Sequence, residues 1–281
     1  MPSTYTPLRY PGGKTKLYNE VQPLLNSISK EAIYVEPFAG GAGLALKLLF
    51  CGDAESIILN DIDENVFLFW LACLNNTDEL CKMIYNAPLS IDEWEKQKRI
   101  LDNPHTSSDI ERAFALFYLN RCNRPGIIKG GPIGGKNQNG KYKIDARFNK
   151  DGLIKKVRAI GSKKEKISVY CQDGKRFLTD ICKDLPVDKT LINIDPPYVG
   201  KGPELYQNSF SKKDHEDLYK VIRELKQHWI VTYDTDELIK SLYSEFAIRE
   251  IQLGYSAGET RKVGLEYLIS NLNYCEAEGY V

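Results

Sequence analysis

The sequence predicts an α/β fold, a doubly wound, Rossmann-like core carrying one mainly helical insertion. Three observations predict it. Tyr34-Val35-Glu36 runs as a strand into the glycine-rich turn Pro37-Phe38-Ala39-Gly40-Gly41-Ala42-Gly43, and a helical stretch follows from Leu44 to Phe50. The apolar run from Thr190 to Ile194 ends abruptly in Asp195-Pro196-Pro197-Tyr198, where two prolines stop the donation of ladder hydrogen bonds. Between these, apolar residues at Val66, Phe67, Phe69, Trp70, Leu71 and Leu74 recur with helical rather than strand period.

Taken in order, Leu17, Val21, Leu24, Leu25 and Ile28 predict a helix over 17–29, broken only by Pro23. After the first strand and its helix, Ser56 to Leu59 forms a second strand that ends at Asn60-Asp61-Ile62-Asp63. Helices are predicted from Trp94 to Leu101 and from Ile110 to Leu119, the second capped by Ser108. Their aromatic stripe belongs to a core. Gly126 to Gly140 holds six glycines with little periodicity and should be a loop or hairpin that orders on a partner. The core resumes with a strand at Ile167 to Tyr170. It continues through a helix at Lys213 to Gln227, a strand at Trp229 to Tyr233, and late strands near Phe246 to Leu253 and Tyr267 to Leu272. Residues 1–63 and 166–281 therefore make the core, and 64–165 the insertion.

A strand ending in an acid, two prolines and an aromatic projects a carboxylate, carbonyls and a flat ring from its carboxyl end, where open α/β sheets place ligands. That set suits an exocyclic amine on a planar ring: the carboxylate and a carbonyl accept two N–H bonds, and the tyrosine stacks on the ring. Glycines after the first strand allow close approach of the backbone to a ligand. Acids after the second strand can hold ribose hydroxyls, with Asp61 favoured for that role and Asp63 as a helix cap. No Lys-Ser or Lys-Thr pair follows the glycines, which argues against a phosphate-gripping loop.

At 281 residues, 42% hydrophobic and 27% charged, the composition is that of a globular protein. Neither a secretion signal nor a membrane-length apolar run is present in the sequence, so a cytoplasmic location is expected. Seven scattered cysteines and three histidines suggest neither a disulfide framework nor a metal site; Cys171 is read as a small buried filler. The formal net charge of zero is unevenly spread. Fourteen Lys and Arg stand against three acids from Arg121 to Lys166, a net +11 that leaves −11 for the remainder. Such a basic stretch, interleaved with Tyr142 and Phe148, fits a polyanion.

The order Arg9-Tyr10-Pro11-Gly12-Gly13-Lys14, the EPFAGGAG turn, Asn60-Asp61, a long insertion, Cys171-Gln172-Asp173 and Asp195-Pro196-Pro197-Tyr198 resembles the D12-class (α-group, Dam/DpnM-like) DNA adenine-N6 methyltransferases over nearly the whole chain. Tyr255-Ser256, Arg261-Lys262 and Glu266 to Asn271 resemble that family's closing segment. The resemblance implies a class I S-adenosyl-L-methionine-dependent methyltransferase sheet, mostly parallel with an antiparallel final strand, and a nucleoid-associated enzyme acting on double-stranded DNA. S-adenosyl-L-homocysteine would be the second product. It implies that Asp195, Pro196, Pro197 and Tyr198 are catalytic. Tyr10, Lys14, Glu36, Pro37, Phe38, Ala39, Gly40, Gly41, Gly43, Asp61, Ile62, Asp173, Gly174 and Asp195 would surround the cofactor, with Lys14 near its carboxylate or at the DNA junction. Phe210 and His215 would sit in a lid over the target base, with helix capping by Ser211 or Asp214 as the alternative.

The insertion departs from the GATC-reading members, so the recognition sequence is open. Arg9, Arg121, Asn123, Arg124, Lys129, Lys136, Gln138, Asn139, Lys141, Tyr142 and Arg147 are the candidates for DNA contact, since arginine suits guanine and asparagine or glutamine suits adenine. A monomer or weak dimer is expected, paired in function alone with a restriction endonuclease if it serves such a system. The alternatives are a cytosine-N4 or RNA adenine methyltransferase, and a silent DNA-binding relative.

Overall fold

Every residue of the strand Thr190–Ile194 (β4) is buried, as a continuous apolar run requires when helices cover both faces of a sheet. It pairs in parallel with Ile33–Glu36 (β1) and with His228–Asp234 (β5), and β1 pairs in parallel with Ser56–Asn60 (β2). With Ile167–Tyr170 (β3) and the hairpin strands Ala247–Ala257 (β6) and Thr260–Ser270 (β7), the sheet has the order β3-β2-β1-β4-β5-β7-β6. Strand β7 lies antiparallel between β5 and β6. The class I sheet expected from the resemblance is therefore present. This computed structural model describes residues 4–9, 14–199, 210–257 and 260–272, and for 253–257 and 260–263 only the backbone.

The chain divides into two compact units, Met1–Gly13 with Ile62–Cys171, and Lys14–Asp61 with Gln172–Val281. In the second unit, Tyr18–Ile28 (α1) and Gly43–Cys51 (α2) contribute the fully buried Leu25, Leu44 and Leu46, while Tyr34, Trp229 and Tyr233 fill the sheet side. Pro23 is carried inside α1 without ending it. Gly174–Asp180 (α8), Lys212–Arg223 (α9) and Glu237–Leu242 (α10) complete this unit.

The first unit is built from Glu64–Asn75 (α3), Thr77–Asn86 (α4), Ile91–Asp102 (α5), Asp109–Cys122 (α6) and Lys150–Gly161 (α7). Asp63 caps α3, accepting from Asn65 N at 2.9 Å. A capping box between Ser108 and Glu111 starts α6, as the sequence indicated. Helix α6 is apolar nearly all round because it is the central helix: Phe117 stacks on Phe69 with centroids 5.7 Å apart and meets Phe148 edge-on at 5.4 Å. The aromatic stripe is core. Phe148, grouped with the basic residues in the sequence reading, belongs to it at 4% exposure and cannot stack on a base.

The late strands extend to eleven residues each, past the ends the sequence suggested. Helix α7 was hidden by its four Lys and Arg, although Leu153, Val157 and Ile160 lie buried on one face.

Candidate functional site

Four acids stand at or just beyond the carboxyl ends of the sheet strands in the second unit, and the turn after β1 is wired to them. Gly40 and Ala42 both take φ 45°. For alanine this left-handed conformation costs roughly 1 kcal/mol, so the turn must be held by its neighbours. Asn60, the last residue of β2, does much of that: its Nδ2 donates to Pro37 O at 2.9 Å and Gln172 O at 3.0 Å, and its Oδ1 accepts from Gln172 N at 3.0 Å. Ala39 N closes on Asn60 O at 2.8 Å, and Gly40 N on Asp61 Oδ2 at 2.8 Å. One amide thus ties three loop ends together. Asn60→Ala removes three hydrogen bonds, one buried and two part-buried, and should lower the unfolding free energy by about 3 kcal/mol, at roughly 1 kcal/mol each; urea denaturation measures it, and an unchanged midpoint would refute the wiring.

Glu36 ends β1 at 6% exposure, its Oε1 accepting from Ala45 N at 3.2 Å. Burial pushes its carboxyl up to about 8. Asp173 caps α8, accepting from Lys175 N and Arg176 N with its Oδ1. A Cβ on Gly174 would meet the Phe38 ring at 2.4 Å, so the residue after Asp173 has to be glycine for the ring to lie where it does. Ile62 follows Asp61 half exposed.

Asp195 leaves β4 with 21% of its side chain exposed. Among the described residues its Oδ1 meets two partners: Thr232 Oγ1 donates at 2.9 Å, and Lys14 Nζ lies at 3.3 Å. Oδ2 has no hydrogen bond among the described residues. Lys14 Nζ also donates to the Tyr198 hydroxyl and to Glu266 Oε2, the latter at 2.9 Å. Tyr198 is 8% exposed, its ring centroid 6.3 Å from that of Tyr233. An aromatic row continues from Tyr233 through His215 and Phe210 to Phe38, with successive centroids 5.4, 5.4 and 6.1 Å apart. His215 is not part of a lid. It is 1% exposed, its Nδ1 paired with the Tyr233 hydroxyl at 2.9 Å, and Ser211 and Asp214 form the capping box that starts α9.

In the first unit, Arg9, Arg121 and Arg147 converge. Arg9 donates to Asn123 O at 3.0 Å, and Arg121 donates to Arg147 O. Burial and the neighbouring Arg9 pull the Arg121 guanidinium down to about 10. Burial and Arg147 lower that of Arg9. Arg124, Lys129, Lys136, Asn139, Lys141, Tyr142 and Arg147 are exposed. Lys136 lies 3.3 Å from Glu95, a surface pair of little energetic weight.

Two candidates for DNA contact are spent on the protein itself. Asn123 is fully buried, accepting from Trp94 Nε1 and donating to Ile127 O and Ile128 O. Gln138, at φ 52°, donates to Ile133 O and Gly135 O and accepts from Ile144 N. Both amides brace the glycine-rich loop, because its backbone has no ladder to satisfy it. Cys171 is exposed, not the buried filler expected, since it lies beyond the end of β3. Tyr10 lies outside the described residues, as do the side chains of Tyr255, Ser256, Arg261 and Lys262. Asn60, Thr232 and Glu266 were assigned no role from sequence; a polar residue within an otherwise apolar strand was the one available signal.

The chain matches the family described as D12 class N6 adenine-specific DNA methyltransferase over residues 10–256. It is 25% identical to the type II methyltransferase M.MjaIII of Methanocaldococcus jannaschii, covering 94% of this chain and 98% of that protein. Solved structures similar to it include a SAM-dependent methyltransferase from Agrobacterium tumefaciens, at TM-score 0.42 and 11% identity over 92% of this chain and 61% of that one. The rRNA methyltransferase aviRa from Streptomyces viridochromogenes aligns at TM-score 0.39 and 10% identity over 96% and 90%. No described helix is long and apolar enough to cross a membrane.

Proposed function

This chain belongs to the D12 class of N6 adenine-specific DNA methyltransferases, and from that premise we propose that it methylates N6 of an adenine flipped out of double-stranded DNA at a specific sequence. S-adenosylmethionine is the cofactor, and it supplies a methyl group on an electrophilic sulfonium. The residues present suit it: Asp61 and Asp173 offer carboxylates, and Glu36 a carboxyl oxygen, to a molecule whose amine, ribose hydroxyls and adenine amine are all donors. Phe38 and Gly174 would flank it, and S-adenosylhomocysteine would leave.

The observation that carries the reading is Asp195. With Oδ1 held by Thr232 and Lys14, Oδ2 is presented at the strand end, and Oδ2 and the Pro196 carbonyl can accept the two N–H bonds of an exocyclic amine. Those bonds favour the tetrahedral nitrogen that attacks in line, so alignment and electrostatics supply most of the acceleration. Asp195 need not be a strong base, because the proton becomes acidic once nitrogen carries positive charge. Flipping costs about a few kcal/mol, and stacking on Tyr198 requires the entering base to uncover that ring.

Arg9 together with the arginines and exposed lysines of residues 64–165 is the proposed DNA-reading surface, in an enzyme of a restriction-modification system or an orphan or phage methylase working in the cytoplasm. Binding should weaken steeply with salt. Replacing Arg124 and Lys141 together with alanine should reduce the slope of log affinity against log salt by about 0.9 for each phosphate no longer neutralised, read by fluorescence anisotropy; an unchanged slope removes both from the interface. The reading itself is tested by single-molecule sequencing of DNA from a methylation-deficient host expressing the chain. One adenine-containing motif modified throughout supports it. N4-methylcytosine, or unmodified DNA alongside methylated RNA, overturns it.

A further inference from the structure

We propose that Glu266 is a positioning residue of the methyl-transfer site, acting through Lys14 to keep Asp195 singly engaged and negatively charged; this rests on the function proposed above. Glu266 sits on β7 opposite Asp234 of β5. It is 2% exposed, with Oε2 2.9 Å from Lys14 Nζ and Oε1 buried without a hydrogen-bond partner among the described residues. A carboxylate in that setting is a poor stabiliser, since an apolar residue of similar size usually serves a core as well or better. Its presence on an inner strand therefore calls for a role beyond packing.

The geometry supplies one. Lys14 lies between two acids, nearer to Glu266 at 2.9 Å than to Asp195 at 3.3 Å. Drawn towards Glu266, the ammonium meets Asp195 at Oδ1, and Thr232 binds the same oxygen. Three formal charges, two negative and one positive, leave the group at −1, the sign that favours a sulfonium and an amine acquiring positive charge. Without the Glu266 charge, Lys14 would be released to close on Asp195, cover Oδ2 and cancel its field. The Tyr198 hydroxyl, also bonded to Lys14, would move with it.

The test compares the wild type with Glu266→Gln and with the paired replacement Lys14→Met/Glu266→Met. Glu266→Gln should lower kcat about 50-fold, a smaller loss than deletion of a group touching the reacting atoms, with the KM values for cofactor and DNA changed less than threefold and Tm not lowered. The charge-neutral pair should recover at least tenfold of that loss, which a purely structural role would not produce. In parallel, the side-chain ammonium resonance of Lys14 in 15N-labelled protein, assigned with Lys14→Met, should shift in Glu266→Gln. Unchanged kcat, or loss of kcat only in step with lost folding, overturns the proposal, as does an unmoved Lys14 resonance. Were the wild type to methylate no DNA, the proposed function would fail while the resonance still reported whether Glu266 holds Lys14.

Discussion

Asp195→Ala should reduce methyl transfer about a thousandfold or more while leaving cofactor and DNA affinity within a few-fold. The argument is positional. Among the described residues, the Oδ2 of Asp195 is the unengaged carboxylate oxygen at the end of β4, and its partner oxygen is fixed from behind by Thr232 and Lys14. Removing one preorganised electrostatic group from a water-poor site costs ~10²–10³ in rate. Alanine also removes the partner of a buried ammonium, which adds to the loss. Asp195→Asn should be nearly as damaging, because an amide carries no charge towards a developing cation. Single-turnover kinetics with labelled cofactor, alongside equilibrium binding of cofactor and DNA, separate chemistry from affinity. Turnover within tenfold of the wild type would remove Asp195 from the catalytic role.

A second large effect concerns stability. Glu36 should make the unliganded chain lose stability as pH rises from about 4.5 to about 8, and Glu36→Gln should remove that contribution. The folded-state carboxyl of Glu36 titrates near 8 against an ordinary value of 4.5, because it is buried. Between those values the unfolded chain has released its proton and the folded chain still holds it. Folding then takes up a proton and weakens with rising pH, by at most about 1.4 kcal/mol per pH unit from this one group. Below 4.5 both states are protonated and the effect vanishes. Urea unfolding at pH 5.5, 6.5 and 7.5 measures the slope as a difference between wild type and Glu36→Gln; parallel curves would show that Glu36 is already ionised in the fold.

What was legible in the sequence followed from local pattern. The strand ending at Asp195 could be read because burial on both faces demands an unbroken apolar run, and the turn after Glu36 because its glycines cluster. The starts of α6 and α9 carry their own capping residues, Ser108 with Glu111 and Ser211 with Asp214. Illegible parts depended on distant partners. Thr232 gains meaning from Asp195, 37 residues away, and Glu266 from Lys14, 252 away. Asn123 and Gln138 have the chemistry to read bases, but an irregular loop needs hydrogen bonds from somewhere, and theirs go to its carbonyls. Helix α7 has a regular apolar face that a count of charges passes over.

The Lys14–Glu266 contact also bears on how the protein is made. Glu266 is synthesised 252 residues after Lys14, on the strand that covers β5. A chain stalled on the ribosome before β7 would hold the Asp195 tetrapeptide and the cofactor turn, yet β5 would be left as an unpaired edge, prone to sticking to other strands. Its Lys14 would lack the Glu266 contact that draws it away from Asp195. On the function proposed above, methyl transfer should therefore await the β6–β7 hairpin.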